Sequence, residues 1–154
     1  DIGVSVAEAK EYMERYFDTY RGVKRYMEQV VETAREKGYV ETLMHRRRAL
    51  PELKSSNFNM RSFGERVALN MPIQGTAADI MKLAMVRVEQ RLQAEGLAAK
   101  LIMQVHDELI VECPEGERET VQRLLEEEMS GVVRLSVPLP AQAHSGKTWL
   151  EAKG

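Results

Sequence analysis

The sequence predicts an α+β fold in which several helices pack with a small antiparallel sheet. Two patterns indicate this class: long segments with apolar residues at helical spacing, and short β-branched segments of about four to eight residues. They follow one another in the order helix, strand, helices, hairpin, helix, strand, which is typical of α+β proteins. The 154 residues are 44% hydrophobic, which suits one domain with a core or part of a larger domain.

The first quarter of the chain predicts two consecutive helices. Ser5 followed by Glu8 matches a capping box and should begin the first helix, which ends near residue 19. Arg21-Gly22 should interrupt the helical pattern. A second helix is predicted over about 23–37, with Gly38 as its C-terminal cap because glycine readily adopts a left-handed conformation.

The middle of the chain predicts a strand, a loop and a long helix. Residues 39–44 alternate as in a β-strand, and residues 45–57 predict a basic loop rich in turn-forming residues. A helical pattern then runs from about 58 to 94. Pro72 lies inside it and should break or kink the helix, because proline lacks an N–H group and clashes with the preceding turn. Gly96 should end the helix.

The last third predicts a hairpin, a helix and a strand. Residues 99–105 and 109–113 are short, apolar and β-branched, and they predict a strand pair with His106-Asp107-Glu108 at or near its turn. A helix is predicted over about 115–129, and a short final strand over about 141–144.

Composition and charge exclude several classes of protein. A net charge of −2 gives no overall basic field of the kind that attracts nucleic acid. The single cysteine, Cys113, excludes a disulfide framework and a cysteine zinc cluster, and it suits a reducing compartment, so we expect a cytoplasmic protein. No apolar run approaches the ~20 residues of a membrane span. The chain opens on Asp1 without a methionine, and we interpret it as a fragment of a longer polypeptide.

The best candidate for chemistry is the acidic pair Asp107 and Glu108, which lies between two apolar segments. Buried carboxylates are costly unless they meet a cation or a turn exposes them. A turn would let both approach one ion, and carboxylate oxygens suit Mg²⁺ or Mn²⁺. One pair is too few ligands for two metal ions, so a further carboxylate would have to come from elsewhere. The alternative is a solvated hairpin turn, in which aspartate is common.

Three hydrogen-bonding side chains form a second candidate. Arg66, Asn70 and Gln74 are spaced four residues apart, so a continuous helix would place them in one row. All three can donate hydrogen bonds, and every base pair presents acceptors in the minor groove. Such a row could follow a duplex without reading its sequence. The alternative is an ordinary polar face of a helix.

Two further candidates are basic. Arg46, Arg47 and Arg48 are consecutive, and guanidinium groups match phosphate oxygens, although a solvated charge run is the alternative. His106 precedes the acidic pair, but a lone histidine is more often structural than a ligand or a base. The sequence contains no glycine-rich phosphate loop, no Walker pattern and no zinc-protease or nucleophile-elbow motif.

Taken together, these segments resemble the family A DNA polymerases, and the match is nearly colinear over the whole chain. Residues 104–109 are similar to the third polymerase motif of the palm, and residues 70–79 to the family's helix leading into the palm. Residues 38–43 followed by 46–48 also match, as does the ending at 146–149. One position departs from the family: the chain has His45 where the family commonly has a glycine, so the turn there is expected to be reshaped.

The resemblance implies a fragment of a larger, hand-shaped polymerase domain. Residues 1–38 correspond to fingers-derived helices, and residues 39–154 to a portion of the palm with its small antiparallel sheet. The family's first palm motif, which supplies another metal-binding aspartate, is not in this sequence. The fingers helix that grips the incoming nucleotide, the thumb and any exonuclease domain are also absent from it.

The resemblance also implies roles for the candidate residues. Asp107 corresponds to a catalytic metal ligand, with Glu108 beside it as a second catalytic and metal-binding carboxylate. The residues that correspond to primer–template contacts are Arg66, Asn70 and Gln74 in the minor groove, His106 near the primer end, and Arg46, Arg47 and Arg48 along the nucleic-acid backbone.

The function implied is template-directed DNA synthesis in replication and repair. A primer 3′-hydroxyl attacks a deoxynucleoside triphosphate (dNTP) with the help of two Mg²⁺ ions, for which Mn²⁺ could substitute. The expected partners are primer–template DNA, the dNTP and the remainder of the polymerase chain, with no membrane, and the fragment alone should be inactive. Two alternatives stay open: a non-catalytic duplex-binding module, and a single-subunit RNA polymerase or other metal-dependent phosphotransferase. RNA polymerase relatives usually carry serine where this chain has Glu108.

Overall fold

The structure, a computed structural model, describes residues 3–153, and the chain divides into two compact units between Thr76 and Ala77. The predicted α+β class is confirmed, because the described residues combine helices with two separate two-stranded antiparallel sheets. None of the helices within this range has the length and apolarity that a bilayer crossing requires. The elements are α1 (Val6–Thr19), α2 (Arg21–Lys37), β1 (Tyr39–Glu41), β2 (Arg47–Ala49), α3 (Phe58–Ala94), β3 (Lys100–Val105), β4 (Glu108–Glu112), α4 (Arg118–Ser130) and α5 (Trp149–Ala152), with 3₁₀ turns at Pro51–Lys54 and Glu115–Glu117.

The predicted capping box begins α1. The Ser5 hydroxyl accepts a hydrogen bond from the Glu8 N–H at 3.3 Å, and the Ser5 N–H donates to the Glu8 carboxylate at 2.8 Å. The hydrogen bonds from Ser5 lower the pKa of Glu8. The predicted break at Arg21-Gly22 is wrong, because the non-helical residue is Tyr20 and Gly22 lies within α2. Gly22 is the second residue of α2, and the entropic cost of a glycine applies chiefly to the middle of a helix.

The basic segment after α2 forms a hairpin, which corrects the predicted strand at 39–44 and loop at 45–57. β1 pairs antiparallel with β2, so that Tyr39 lies opposite Ala49 and Glu41 opposite Arg47. The chain reverses early because the buried Thr42 hydroxyl accepts hydrogen bonds from the Met44 and Arg46 N–H groups, both at 3.2 Å. These bonds satisfy the backbone of a tight turn, and two of the three consecutive arginines are therefore on a strand.

The core of the first unit joins α2, the hairpin and the beginning of α3. Its buried residues are Ala34, Val40, Leu50, Leu53 and Ala68. The turn of the hairpin contacts α3 closely, since a β-carbon on Gly75 would lie 2.7 Å from the Thr42 methyl group. The Thr76 hydroxyl also accepts a hydrogen bond from the Leu43 N–H at 3.0 Å. Gly75 thus permits a close approach that any larger residue would prevent.

The sequence predicts that Pro72 breaks or kinks the helix; the break does not occur, because α3 is one helix from Phe58 to Ala94, and the kink stays a prediction. A proline inside a helix forfeits one backbone hydrogen bond and costs about 3 kcal/mol. Ala68 and Thr76 on either side of Pro72 are buried, and tertiary packing of this kind supplies most of the stability of helices in proteins. The helix thus continues through Pro72, although the local sequence favours a break there.

The C-terminus of α3 forms the predicted glycine cap. Gly96 has a φ of 67°, and its N–H donates to the Gln93 carbonyl at 3.1 Å. The Leu97 N–H donates to the Leu92 carbonyl, also at 3.1 Å. This pair of bonds is the Schellman arrangement, and the two leucines bring the apolar contact that accompanies it into the core of the second unit.

The second unit packs the end of α3 against the β3–β4 hairpin and α4. Its buried residues are Val88, Leu92, Ala99, Val121 and Leu124. Two polar groups join the elements around this core. The Glu117 carboxylate accepts hydrogen bonds from the N–H groups of Ala98 and Ala99 at 2.9 and 3.0 Å, and the Arg91 guanidinium donates to Glu128 at 2.8 Å.

The predicted final strand at 141–144 is wrong, because this segment pairs with side chains instead of with another strand. The Ala141 N–H donates to the Ser130 hydroxyl at 2.8 Å, and the Ala143 N–H donates to the Glu126 carboxylate at 3.0 Å. Both acceptors belong to α4, so the backbone is satisfied without a sheet. The chain then forms α5, a short helix capped by Thr148 that the sequence patterns did not predict.

His45 offers a test of the turn that precedes β2. Its φ of 62° is in the left-handed region, where a β-carbon is unfavourable. We expect His45→Gly to raise the free energy of unfolding by about 1 kcal/mol, measured by urea denaturation followed by circular dichroism. His45→Ala is the matched control, since it removes the imidazole but keeps the β-carbon. A glycine variant no more stable than the alanine variant would show that the turn carries no strain.

Arg47 offers a second test, because it sets the charge state of its neighbour. Its Nε donates to the Glu41 carboxylate at 3.2 Å, and this hydrogen bond lowers the pKa of Glu41. A lowered folded-state pKa gives stability that is present above the ordinary carboxyl pKa and lost as the pH falls through the lowered value. We expect Arg47→Gln to move the pKa of Glu41 back towards its ordinary value, read from the carboxyl ¹³C shift in an NMR titration.

The control for that titration is Arg48→Gln. Within residues 3–153, Arg48 has no ion pair, so its replacement should leave the pKa of Glu41 where it is. An equal rise in both variants would mean that general positive charge, and not the Arg47 hydrogen bond, lowers the Glu41 pKa.

Candidate metal centre and nucleic-acid interface

The acidic turn, His106-Asp107-Glu108, is built on a very short hairpin loop. Val105 lies opposite Glu108 in the β3–β4 register, so only His106 and Asp107 form the loop. His106 has a φ of 52°, whereas Asp107 has a negative φ. A positive φ at the first loop residue alone is the pattern of a type II′ hairpin turn, a position that usually requires glycine. The Gln104 amide donates to the His106 carbonyl at 2.6 Å and holds the loop closed.

The two carboxylates of the acidic turn have different surroundings. Asp107 is exposed at the tip of the loop and has no hydrogen bond or ion pair within residues 3–153. Glu108 is the first residue of β4, and one of its carboxylate oxygens lies 3.7 Å from the Lys153 ammonium. Because Asp107 is solvated, its charge carries little desolvation cost and is available to a cation.

The donor set of the acidic turn fits a part of a magnesium site. Carboxylate oxygens are the ligands that Mg²⁺ prefers, and it is usually held by one or two protein carboxylates plus substrate phosphates. Among residues 3–153, no cluster of three or more histidine, cysteine, aspartate or glutamate side chains has a geometry that could hold a metal ion. Asp107 and Glu108 are two carboxylates of the kind such a site uses, and they would be a part of its ligand set and not the whole of it.

The donor row, Arg66, Asn70 and Gln74, lies on the exposed side of α3 in the first unit. The Arg66 guanidinium donates to the Ser62 hydroxyl at 3.0 Å. The side chains of Asn70 and Gln74 make no hydrogen bond within the described range, so their amides are free to meet acceptors. Their placement in a row is the one that the spacing of four residues predicted.

Two apolar side chains that the sequence patterns did not distinguish extend the same side of α3. Phe63 precedes Arg66 by three residues and Ile73 follows Asn70 by three, which places both on the face of the donor row. Phe63 is 43% exposed and Ile73 is 63% exposed. The sequence does show that Phe63 and Ile73 lie at helical spacing from the donor row. Spacing alone, however, does not distinguish an exposed apolar residue from a core residue.

The arginine run, Arg46–Arg48, does not form one continuous patch. Adjacent strand residues point to opposite faces, so the side chains of Arg47 and Arg48 diverge. The Arg47 guanidinium is bonded to Glu41 and lies 4.6 Å from the centre of the Tyr39 ring. Arg48 is exposed without such a partner within residues 3–153. Of these two strand residues, Arg48 is the one with an uncommitted charge.

Lys153 is a neighbour of the acidic turn that the sequence did not reveal. It lies far along the chain from Glu108, and no spacing rule connects a residue after α5 with a hairpin loop. Its ammonium lies 5.8 Å from the centre of the Trp149 ring as well as beside Glu108. The sequence feature closest to Lys153 was the segment 146–149, which resembles the family's ending but to which no function was assigned.

Comparisons with known proteins agree on one family. The sequence profile described as DNA polymerase family A matches residues 1–151. DNA polymerase I of Bacillus caldotenax is 54% identical over 153 residues, and DNA polymerase I of Bacillus subtilis is 50% identical over 153 residues. Each alignment covers 99% of this chain, which spans 17% of the length of these relatives.

A solved structure agrees with the sequence comparisons. It is the POL domain of Pol1 from M. smegmatis in complex with DNA primer-template and dNTP. It is 46% identical to this chain, with a TM-score of 0.95, over 98% of this chain and 27% of that one. A match of this extent, at this identity, concerns the whole described fold and not a single motif. The chain belongs to the family A DNA polymerases.

Proposed function

We propose that this chain forms part of a template-directed DNA polymerase and contributes a metal-binding carboxylate and a primer–template surface. The observation that carries the proposal is the exposed, unpaired carboxylate of Asp107 at the tip of a two-residue loop. Support comes from the relative solved with DNA primer-template and dNTP, which is 46% identical. The two-residue loop constrains the backbone position from which this carboxylate projects.

The proposed reaction is nucleotidyl transfer. The primer 3′-hydroxyl attacks the α-phosphorus of a dNTP in line, and pyrophosphate leaves. Two bound Mg²⁺ ions, or Mn²⁺, would supply Lewis-acid stabilisation of the attacking and leaving oxygens. Asp107 would hold metal and Glu108 would support it, and a further aspartate would come from the family's first palm motif.

The donor row would hold the primer–template duplex. Purine N3 and pyrimidine O2 accept hydrogen bonds in the minor groove at every base pair, so Arg66, Asn70 and Gln74 could bind without sequence preference. By its correspondence to the family's residue, His106, which shares the two-residue loop with Asp107, would lie near the primer end. From the arginine run, Arg48 has an uncommitted charge for a phosphate, whereas Arg47 would first have to leave Glu41.

The wider assignments rest on the same family membership. We propose that residues 1–38 are fingers-derived helices and that residues 39–154 are part of the palm. The proposed role is in DNA replication and repair in the cytoplasm, a reducing compartment that suits the single Cys113. Primer–template, dNTP and the rest of the polymerase would be the partners.

Asp107→Asn tests the metal-binding role in the complete polymerase. It removes the charge but keeps the shape, so we expect single-turnover primer extension to fall by about two orders of magnitude or more, since a bound metal contributes several kcal/mol. Duplex affinity, measured by filter binding, should change little. The control is Glu112→Gln, an exposed carboxylate at the other end of β4. Equal losses of binding and extension would make Asp107 structural, and no loss would favour a duplex-binding module.

Two further assays extend the Asp107→Asn experiment. The isolated 154-residue chain should extend no primer, because it lacks the second aspartate motif and the nucleotide-gripping helix. Extension by the isolated chain that disappears in Asp107→Asn would contradict this. A competition between ribonucleotides and deoxynucleotides in the complete polymerase tests the RNA polymerase alternative. Preferential incorporation of ribonucleotides would contradict DNA synthesis and favour that alternative.

Alanine variants of the donor row test the duplex contact. Asn70→Ala and Gln74→Ala should each weaken primer–template binding about fivefold, because one net hydrogen bond contributes about 1 kcal/mol. Fluorescence anisotropy with two duplexes of different sequence should give the same loss for both. Gln93→Ala provides a matched control, as an exposed amide on the same helix. A loss equal to that of the control, or confined to one duplex sequence, would contradict minor-groove contact.

A further inference from the structure

Glu108 and Lys153 form an ion pair at the candidate metal centre. The Glu108 carboxylate oxygen and the Lys153 ammonium are 3.7 Å apart, and the two side chains are 41% and 60% exposed respectively. Asp107, the adjacent carboxylate, has no cation beside it within residues 3–153. Of two neighbouring carboxylates that could both bind metal, Glu108 therefore has a cation beside it and, in the described part of the chain, Asp107 does not.

The segment that carries Lys153 is held in a fixed local conformation. A β-carbon on Gly146 would lie 2.5 Å from the Glu151 β-carbon, so only glycine fits against α5. The Lys147 N–H donates to the Glu151 carboxylate at 2.8 Å, and the Thr148 hydroxyl accepts from the Glu151 N–H at 3.3 Å. The Lys153 N–H donates to the Trp149 carbonyl at 3.0 Å. These contacts fix the backbone of residues 146–153, so that Lys153, directly after α5, has a defined position.

The chemistry of this pair bears on metal binding. An ammonium next to a carboxylate competes with a divalent cation for the same oxygens and repels it by charge. Both side chains are partly exposed, so the pair is weak, and breaking it should change an affinity by no more than about fivefold. A pair of this strength can bias the position of a carboxylate while still allowing it to be displaced.

We propose that Lys153 is a positioning residue that holds the Glu108 carboxylate towards α5 and leaves Asp107 as the resident metal ligand. Glu108 then ligates only when the ion pair opens. This inference rests on the proposed metal-binding role of Asp107 and adds a reason for the unequal shares of the two carboxylates. Lys153 would act through Glu108 and not through contact with nucleotide or DNA.

The test measures Mn²⁺ binding directly, by electron paramagnetic resonance, in the complete polymerase. Lys153→Met should tighten Mn²⁺ binding about three- to fivefold, because it frees the Glu108 carboxylate to bind the ion. Lys153→Arg keeps the charge and should bind Mn²⁺ as the unchanged protein does. In a Glu108→Gln background, Lys153→Met should have little further effect, since the carboxylate that it would release is gone.

Each result decides a separate point. Unchanged Mn²⁺ affinity in Lys153→Met would overturn the inference, and so would an equal gain in the Glu108→Gln background, which would indicate a general charge effect. Primer extension should reach half-maximal rate at a lower Mg²⁺ concentration in Lys153→Met. Asp107→Asn is measured alongside: if it alters neither Mn²⁺ binding nor extension, the proposed function fails, whatever the Lys153 variants show.

Discussion

The two-residue loop between β3 and β4 is the constraint on which the candidate metal centre depends. Because Val105 pairs with Glu108, the chain reverses within two residues, and His106 must take a left-handed conformation. A longer loop would let both carboxylates move together in solvent. Here Asp107 is fixed at the tip, whereas Glu108 is already part of a strand and faces Lys153. Adjacent residues thus gain different environments, which is a general way of giving two carboxylates different roles.

The β1–β2 turn of the first unit is constrained in a comparable way, by contacts of Thr42. The Thr42 hydroxyl accepts two backbone hydrogen bonds of the turn, and its methyl group leaves room only for a glycine at position 75 of α3. The same turn places His45 in the left-handed region, which is unfavourable for a residue with a β-carbon. Among the described residues, His45 and His106 are the non-glycine residues with positive φ. Both lie in hairpin connections that present charged side chains, namely the arginine run and the acidic turn. Local strain at such positions is maintained by the surrounding hydrogen bonds and packing.

The sequence predicted the elements that are specified by local signals. The capping box at Ser5 and the glycine caps at Gly38 and Gly96 each act within one helical turn, and all three are present. The errors concern structure that depends on distant partners. Residues 141–144 have a strand-like pattern, but their N–H groups bond to α4 side chains. Arg47 and Arg48 are basic and gave no strand pattern, yet residues 47–49 form a strand because β1 is there to pair with them.

The candidate site shows the same division between local and distant information. A spacing of four residues was enough to place Arg66, Asn70 and Gln74 in one exposed row, whereas the contact of Lys153 with Glu108 depends on the folding of a segment far along the chain. A metal centre made of exposed carboxylates avoids the desolvation cost of a buried one. Its affinity for a cation then has to come from the convergence of ligands carried by separate segments. In the proposed polymerase, metal binding would therefore be coupled to assembly of the complete site, because ligands that are not yet assembled bind weakly.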